Sequence, residues 1–202
     1  MSNDREKIFS AIRSALAPLK ERTPKPEWDT DLAVCRASGE FENLKAQFAD
    51  KLGFASGKFF DSIEALGAFL KSESSTFGYC DPELADQFRQ LEGIRFETAY
   101  DESKINEYSF GITKASAAVA ETGTIMLKDG DTSARLAALA PWIHVAVINE
   151  KDILPNLQEA IRRFGDDPSI IFATGPSKTA DVEGILIEGV HGPGIQVGLV
   201  MP

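Results

Sequence analysis

The stretch that decides the fold runs Trp142-Ile143-His144-Val145-Ala146-Val147-Ile148, then Lys151 to Phe164, then Ser169-Ile170-Ile171-Phe172-Ala173. Its first and last segments are short apolar runs rich in β-branched residues, which read as buried strands. The span between them reads as a helix. Apolar strands separated by helices predict an α/β fold: a layered, mainly parallel sheet with flanking helices.

Working outward, the same alternation continues toward the N-terminus. Phe41, Leu44, Phe48 and Leu52 make a helical face that Gly53 can stop. Lys58-Phe59-Phe60 is a short strand, and Asp61 is the expected N-cap of a helix over Ser62–Lys71. Thr76–Tyr79 reads as strand, Pro82 opens a helix to Leu91, and Arg95–Glu97 is strand again. After a weak helix around 101–106, Phe110–Thr113 is a strand. Ala117–Ala120 and Thr124–Leu127 suggest a hairpin-like pair. Asp131 or Thr132 is expected to cap a helix through Ala140, and Ile185–Ile187 and Gln196–Val200 to complete the sheet. No repeat of fixed period is visible.

The first twenty residues differ from this body. Ile8, Ile12, Leu16 and Leu19 recur at helical spacing among charged neighbours, predicting a helix over about residues 3–17. Pro18, Pro24 and Pro26 then punctuate a charged linker. The domain reading is therefore an N-terminal helical arm and linker over 1–26 and a main domain over 40–202. A helix of that length is marginal in water, so its apolar face needs a partner surface.

Composition narrows the function classes. The 31 acidic and 21 basic residues give a net charge of -10, which repels a phosphate backbone and argues against nucleic acid as a partner. Cys35 and Cys80 are the only cysteines. Two thiols supply neither a disulfide framework nor a CxxC-type zinc site, and an iron–sulfur cluster normally takes four. The two histidines, His144 and His191, stand 47 positions apart without a carboxylate pattern, so no metal site is expected. The start lacks the continuous apolar core of a signal peptide. The longest nearly apolar run, Leu136–Ile148, contains Pro141 and His144 and is too short for a membrane span. Cytoplasm is the expected location.

Two polar loops interrupt the apolar pattern. Glu121-Thr122-Gly123-Thr124 offers a carboxylate, two hydroxyls and a flexible backbone, with Glu121 a candidate base or nucleophile. The plain alternative is a tight turn between strands. Gly175-Pro176-Ser177-Lys178-Thr179-Ala180-Asp181-Val182-Glu183 follows an apolar strand, as ligand loops do in α/β sheets. Ser177 and Thr179 offer hydroxyls, Lys178 a charge, and Asp181 and Glu183 acid–base groups. The alternative is a capped turn with solvated charges. It is not a P-loop, and no GxSxG elbow exists. Arg135 is a candidate carboxylate clamp or a plain surface cation, and His144 a candidate catalyst or a satisfied core residue. His191 lies in the glycine turn Gly189–Gly194.

Gly111-Ile112-Thr113, Ala120–Thr124, Arg135-Leu136, Pro141, His144–Val147, Gly175–Glu183 and Gly189–Pro193 occur in an order that resembles the lactate-utilisation (LUD) domain family. The resemblance covers roughly 40–202 and is most specific from 109 onward. The length and lack of cluster cysteines are similar to the short, LutC/YkgG-type branch. It implies a fold of the NagB/RpiA/CoA-transferase type and a part in oxidising L-lactate to pyruvate. Iron–sulfur clusters would then sit on partner subunits, none being bound by this chain alone. The resemblance marks a site without fixing the roles in it. The residues themselves give the expectation that the two loops line one pocket for a small carboxylate or acyl ligand, held by Thr122, Gly123, Thr124, Arg135, Gly175, Ser177, Lys178, Thr179, Asp181, Glu183 and His191, with Glu121 and His144 as the proton-transfer groups. Lys178 departs from the arginine that the family pattern favours, and lysine lacks the bidentate fork. Other expectations stay open: a stand-alone CoA-transferase-like or sugar-phosphate-isomerase-like enzyme, or a structural scaffold for partner subunits.

Overall fold

The computed structural model describes residues 3–18, 41–164, 169–180 and 185–202. The chain divides into two units, Met1–Ala33 and Val34–Pro202. In the first, α1 (Asn3–Leu16) forms where the periodicity predicts it, with Asp4 and Glu6 in the first turn and Arg13 in the last. Those charges complement the helix dipole.

The second unit is built on six parallel strands. They are β1 (Lys58–Phe60), β2 (Phe77–Cys80), β3 (Arg95–Glu97), β4 (Phe110–Lys114), β7 (Ile143–Asn149) and β12 (Ile195–Met201). Their order across the sheet is β1-β12-β7-β4-β2-β3. Trp142–Ile148, the stretch that decided the reading, supplies the central strand: Val145 stands opposite Val197 on one side and Ile112 on the other. Both faces of β7 are covered, which is why its apolar residues run without alternation.

One face packs on α3 (Ile63–Ser72) and α4 (Ala85–Phe88). There Leu66, Leu70 and Phe88 meet Ile112, Val145 and Leu199. The other face packs on α2 (Leu44–Phe54), α5 (Arg135–Leu139) and a second sheet. That sheet contains β5 (Ala117–Val119), β6 (Thr124–Lys128), β8 (Ile153–Leu154) and β9 (Ile170–Thr174), in the order β8-β5-β6-β9. Phe48 and Leu52 of α2 are wholly buried, and each contributes about 2 kcal/mol of hydrophobic stabilisation. Beyond the second sheet, α6 (Leu157–Phe164) covers Ala117, Val119 and Met126.

Several expected elements differ. Lys151–Phe164 is not one helix: a 3-10 turn over Glu150–Asp152 and β8 come first, and α6 begins only at Leu157. Pro155 lacks an amide proton and disfavours helical geometry in Leu154, while Asn156 Oδ1 accepts the Glu159 amide at 2.9 Å. Residues 169–173 do not join the parallel sheet. β9 pairs antiparallel with β6, and Phe172 is left exposed. Ile185–Ile187 do not complete it either. β11 (Leu186–Glu188) pairs only with β10 (Lys178–Ala180), in a separate two-stranded sheet with exposed apolar side chains. An apolar run records burial or strand propensity but not the identity of its partner.

The cap of α3 is Ser62, one residue past Asp61, through an Ala65 amide bond of 3.2 Å. Likewise α5 starts at Arg135 after an uncapped Ala134, because the Asp131 and Thr132 amides turn back onto the Lys128 carbonyl. The hairpin of β5 and β6 forms as expected, with Ala118 opposite Ile125.

Candidate functional site

The loop 121–124 is the turn of that hairpin. Gly123 has φ +67°, and a Cβ there would lie 2.2 Å from the Leu52 amide nitrogen. Glycine is required because the turn presses directly on the backbone of α2. The Thr122, Thr124 and Thr174 hydroxyls form a chain with spacings of 2.6 and 2.7 Å. Glu121 Oε2 faces the Leu157 amide at 3.5 Å, a long contact at the positive end of α6.

The second loop closes on the same end of α2. Gly175 has φ +72°, and a Cβ there would lie 2.0 Å from the Ala55 carbonyl oxygen. Lys178 Nζ donates to Ser56 Oγ at 3.0 Å and to the Ala55 carbonyl at 3.4 Å, and lies 3.5 Å from Glu188. The Ser177 amide donates to Pro193, and the Ser177 carbonyl accepts from Gly189, both at 2.9 Å. This fastens the turn bearing the exposed His191. Thr179 stands in β10 opposite Ile187. Asp181 and Glu183 lie outside the described residues, as does Cys35. The two loops are thus brought together around the C-terminal end of α2.

Arg135 stands elsewhere. It pairs with Asp129 and Ser169 at the far end of the β6–β9 pair from Thr124 and Thr174. Five residues of strand separate the two ends, about 14 Å. Bonding to the Arg135 guanidinium holds the Asp129 carboxyl below its usual range. His144 is wholly buried at mid-sheet. Its Nε2 is 2.9 Å from Thr113 Oγ1 and its Nδ1 is 3.1 Å from Gln196 Oε1, so three neighbouring strands share one polar chain. Burial lowers the imidazole to about 4, which keeps it neutral near pH 7.

Open space lies at another place, the carboxyl ends of the parallel strands. From β2 the chain moves outward to β3, whereas from β4 it moves the opposite way to β7 and then β12. The gap between β2 and β4 is therefore a topological switch point, where α/β sheets receive ligands. A crevice of about 530 Å³ opens there and extends across the ends of β7 and β12, floored by Leu84, Ala115, Val147 and Met201. Glu83, Gln87, Lys114, Asn149, Lys151 and Asp152 supply its polar rim.

The rim is organised from below by Asp81, which is buried. Its carboxylate accepts the Glu83 amide at 3.0 Å and the Ser133 hydroxyl at 2.7 Å. The Tyr79 hydroxyl lies 2.6 Å from Ser133 Oγ and completes the chain by donating to it. Lys114 Nζ reaches Glu83 Oε2 at 2.9 Å, and that bond raises the lysine pKa. Beside them burial pushes the Cys80 thiol up to about 12, so it is no nucleophile. A larger, shallower depression beside edge strand β3 involves Arg95, Glu97 and Lys104. Its Glu97 is already taken by Lys104 and Tyr108, and it lies away from the switch point. Among the described residues, no group of three or more His, Cys, Asp or Glu side chains is arranged to hold a metal ion.

The sequence signal for the crevice is faint: polar Asp81 and Lys114 directly end two apolar strands.

Residues 70–199 match the model of the LUD domain. The chain belongs to the LUD domain family. Among curated relatives, lactate utilization protein C of Oceanobacillus iheyensis is 36% identical over 91 residues, which are 41% of this chain and 39% of that protein. Lactate utilization protein C of an Exiguobacterium species is 30% identical over 149 residues, 70% of this chain and 59% of that one. The LUD chain thus aligns with less than two thirds of the length of these relatives. A crystal structure of a DUF162 family protein from Deinococcus radiodurans shares the fold at 19% identity, with a TM-score of 0.57 over 79% of this chain and 96% of that chain. Among the described residues, no helix of this LUD protein is long and apolar enough to cross a membrane.

Proposed function

We propose that this LUD protein serves the oxidation of L-lactate to pyruvate as a subunit without a cluster, working with iron–sulfur subunits that carry the electrons. The observation that carries the reading is the LUD match over 70–199, joined to the name lactate utilization protein C borne by its curated relatives. The cysteine count supports the division of labour, since two thiols are short of the four that a cluster normally takes. The crevice at the strand carboxyl ends supports a role in handling a small ligand. A stand-alone transferase using Glu121 draws less support, because that carboxylate faces the first turn of α6.

Deletion of the gene tests the role. Growth on L-lactate as sole carbon source is expected to stop, growth on glucose to continue, and a plasmid copy to restore the first. Unchanged growth on lactate overturns the reading. Purification through a tag on this chain is expected to bring down brown, iron-containing subunits from lactate-grown cells.

A further inference from the structure

We propose that the crevice between the ends of β2 and β4 is a carboxylate-binding site, with Lys114 as the anchor and Glu83 as an internal occupant that the ligand displaces. The inference deepens the reading above and rests on it for the choice of a small carboxylate as ligand. The mechanism of exchange follows from the geometry of the crevice alone.

Three observations carry it. First, the place is the switch point of a wholly parallel sheet, where strand ends splay and their last residues face open space. Second, the lining has two parts. Leu84, Ala115, Val147 and Met201 form an apolar floor, and the rim above it carries Lys114, Lys151 and Gln87 as donors, whereas the Asn149 amide nitrogen already donates to the Pro202 carbonyl at 3.3 Å. That combination fits a carboxylate with a short carbon chain better than a bare anion.

Third, the Lys114 ammonium already holds a carboxylate from its own chain, Glu83, at 2.9 Å. The Glu83 side chain is 71% exposed and can swing into water, whereas its amide stays bonded to Asp81. An incoming carboxylate then takes the same ammonium in a one-for-one exchange, with no net charge added beside the buried Asp81. The other acid of the rim, Asp152, is already paired with Arg163 at 2.7 Å. It therefore competes less for Lys114.

The test is titration of the full chain, followed by amide NMR, with sodium L-lactate, pyruvate, hexanoate and inorganic phosphate. Shifts are expected at Lys114, Ala115 and Val147 with the carboxylates, with hexanoate binding more tightly than phosphate. Lys114→Met is expected to weaken binding about tenfold or more, as loss of a charged hydrogen bond does. Glu83→Gln is expected to tighten it about threefold by removing the competitor. Lys58→Met, at the opposite, amino end of the sheet, controls for net charge and leaves affinity unchanged.

The inference is overturned if no carboxylate perturbs the crevice, if Lys114→Met binds as the parent does, or if Glu83→Gln binds more weakly. Phosphate binding as tightly as hexanoate removes the apolar floor from the proposal. Failure of the lactate reading is separable: a deletion strain that grows on lactate, beside hexanoate binding that depends on Lys114, sinks that reading alone.

Discussion

The two glycine-bearing loops and the crevice at the strand ends make opposite uses of polar residues. In the loops, Gly123 and Gly175 sit against the backbone of α2, and the hydroxyls of Thr122, Thr124 and Thr174 satisfy one another. In the crevice, Lys114, Glu83 and Gln87 border open volume and bond mainly at its rim. Residues dense in glycine and hydroxyl mark a place where chain segments approach closely. A ligand needs space as well, and the space arises where adjacent parallel strands send their connections in opposite directions.

Substitutions can break this contrast. The largest effect is expected from Gly123→Ala, where a left-handed φ and a backbone contact coincide. Urea unfolding should show a loss of about 3 kcal/mol or more. A loss below about 1 kcal/mol would mean that the loop can move off α2, making it a ligand loop after all.

The next effect concerns His144, which belongs to neither region. Its folded pKa of about 4 lies below the ordinary 6.5. Below pH 6.5 the unfolded chain takes up a proton that the folded chain refuses, so stability is complete above 6.5 and falls as pH drops toward 4. The loss is on the order of 3 kcal/mol. Thermal melts of the parent and His144→Gln across that window check it, and the variant should show a flatter profile. An equally steep profile in the variant would assign the loss to other groups.

A smaller effect is expected for Thr174→Val, which interrupts the hydroxyl chain between the loops at a cost of about 1 kcal/mol. The smallest is Lys114→Met. Its ion pair is half exposed, so unfolding should change by less than about 1 kcal/mol even where ligand binding is lost. A Lys114→Met protein as unstable as Gly123→Ala would erase the distinction between the two regions.

The parts of this fold legible in sequence are those written in local pattern. β7 is readable because Ile143–Ile148 is apolar but for His144, and the β5–β6 hairpin because a glycine turn separates two short apolar runs. The break before α6 is carried by one residue, Pro155, while the residues around it keep a helix-like composition. The sheet to which β9 and β11 belong is not legible in sequence, because an isoleucine-rich segment looks alike whether it lies mid-sheet or in an exposed hairpin. Among the candidate site residues, both loops were visible as motifs and do come together around α2. That Arg135 stands at the far end of the β6–β9 pair depends on antiparallel register, which no single segment carries.

The sequence by itself determined the α/β alternation, the central strand and the ordered motifs of the LUD family. Local propensity, composition and spacing act within a few residues and so leave a direct trace. Only the tertiary structure decided that β2 and β4 are neighbours whose connections diverge, and that Asp81, Glu83 and Lys114 meet there. Glu83 and Lys114 are 31 positions apart, joined by strand pairing across the sheet and not by any local rule.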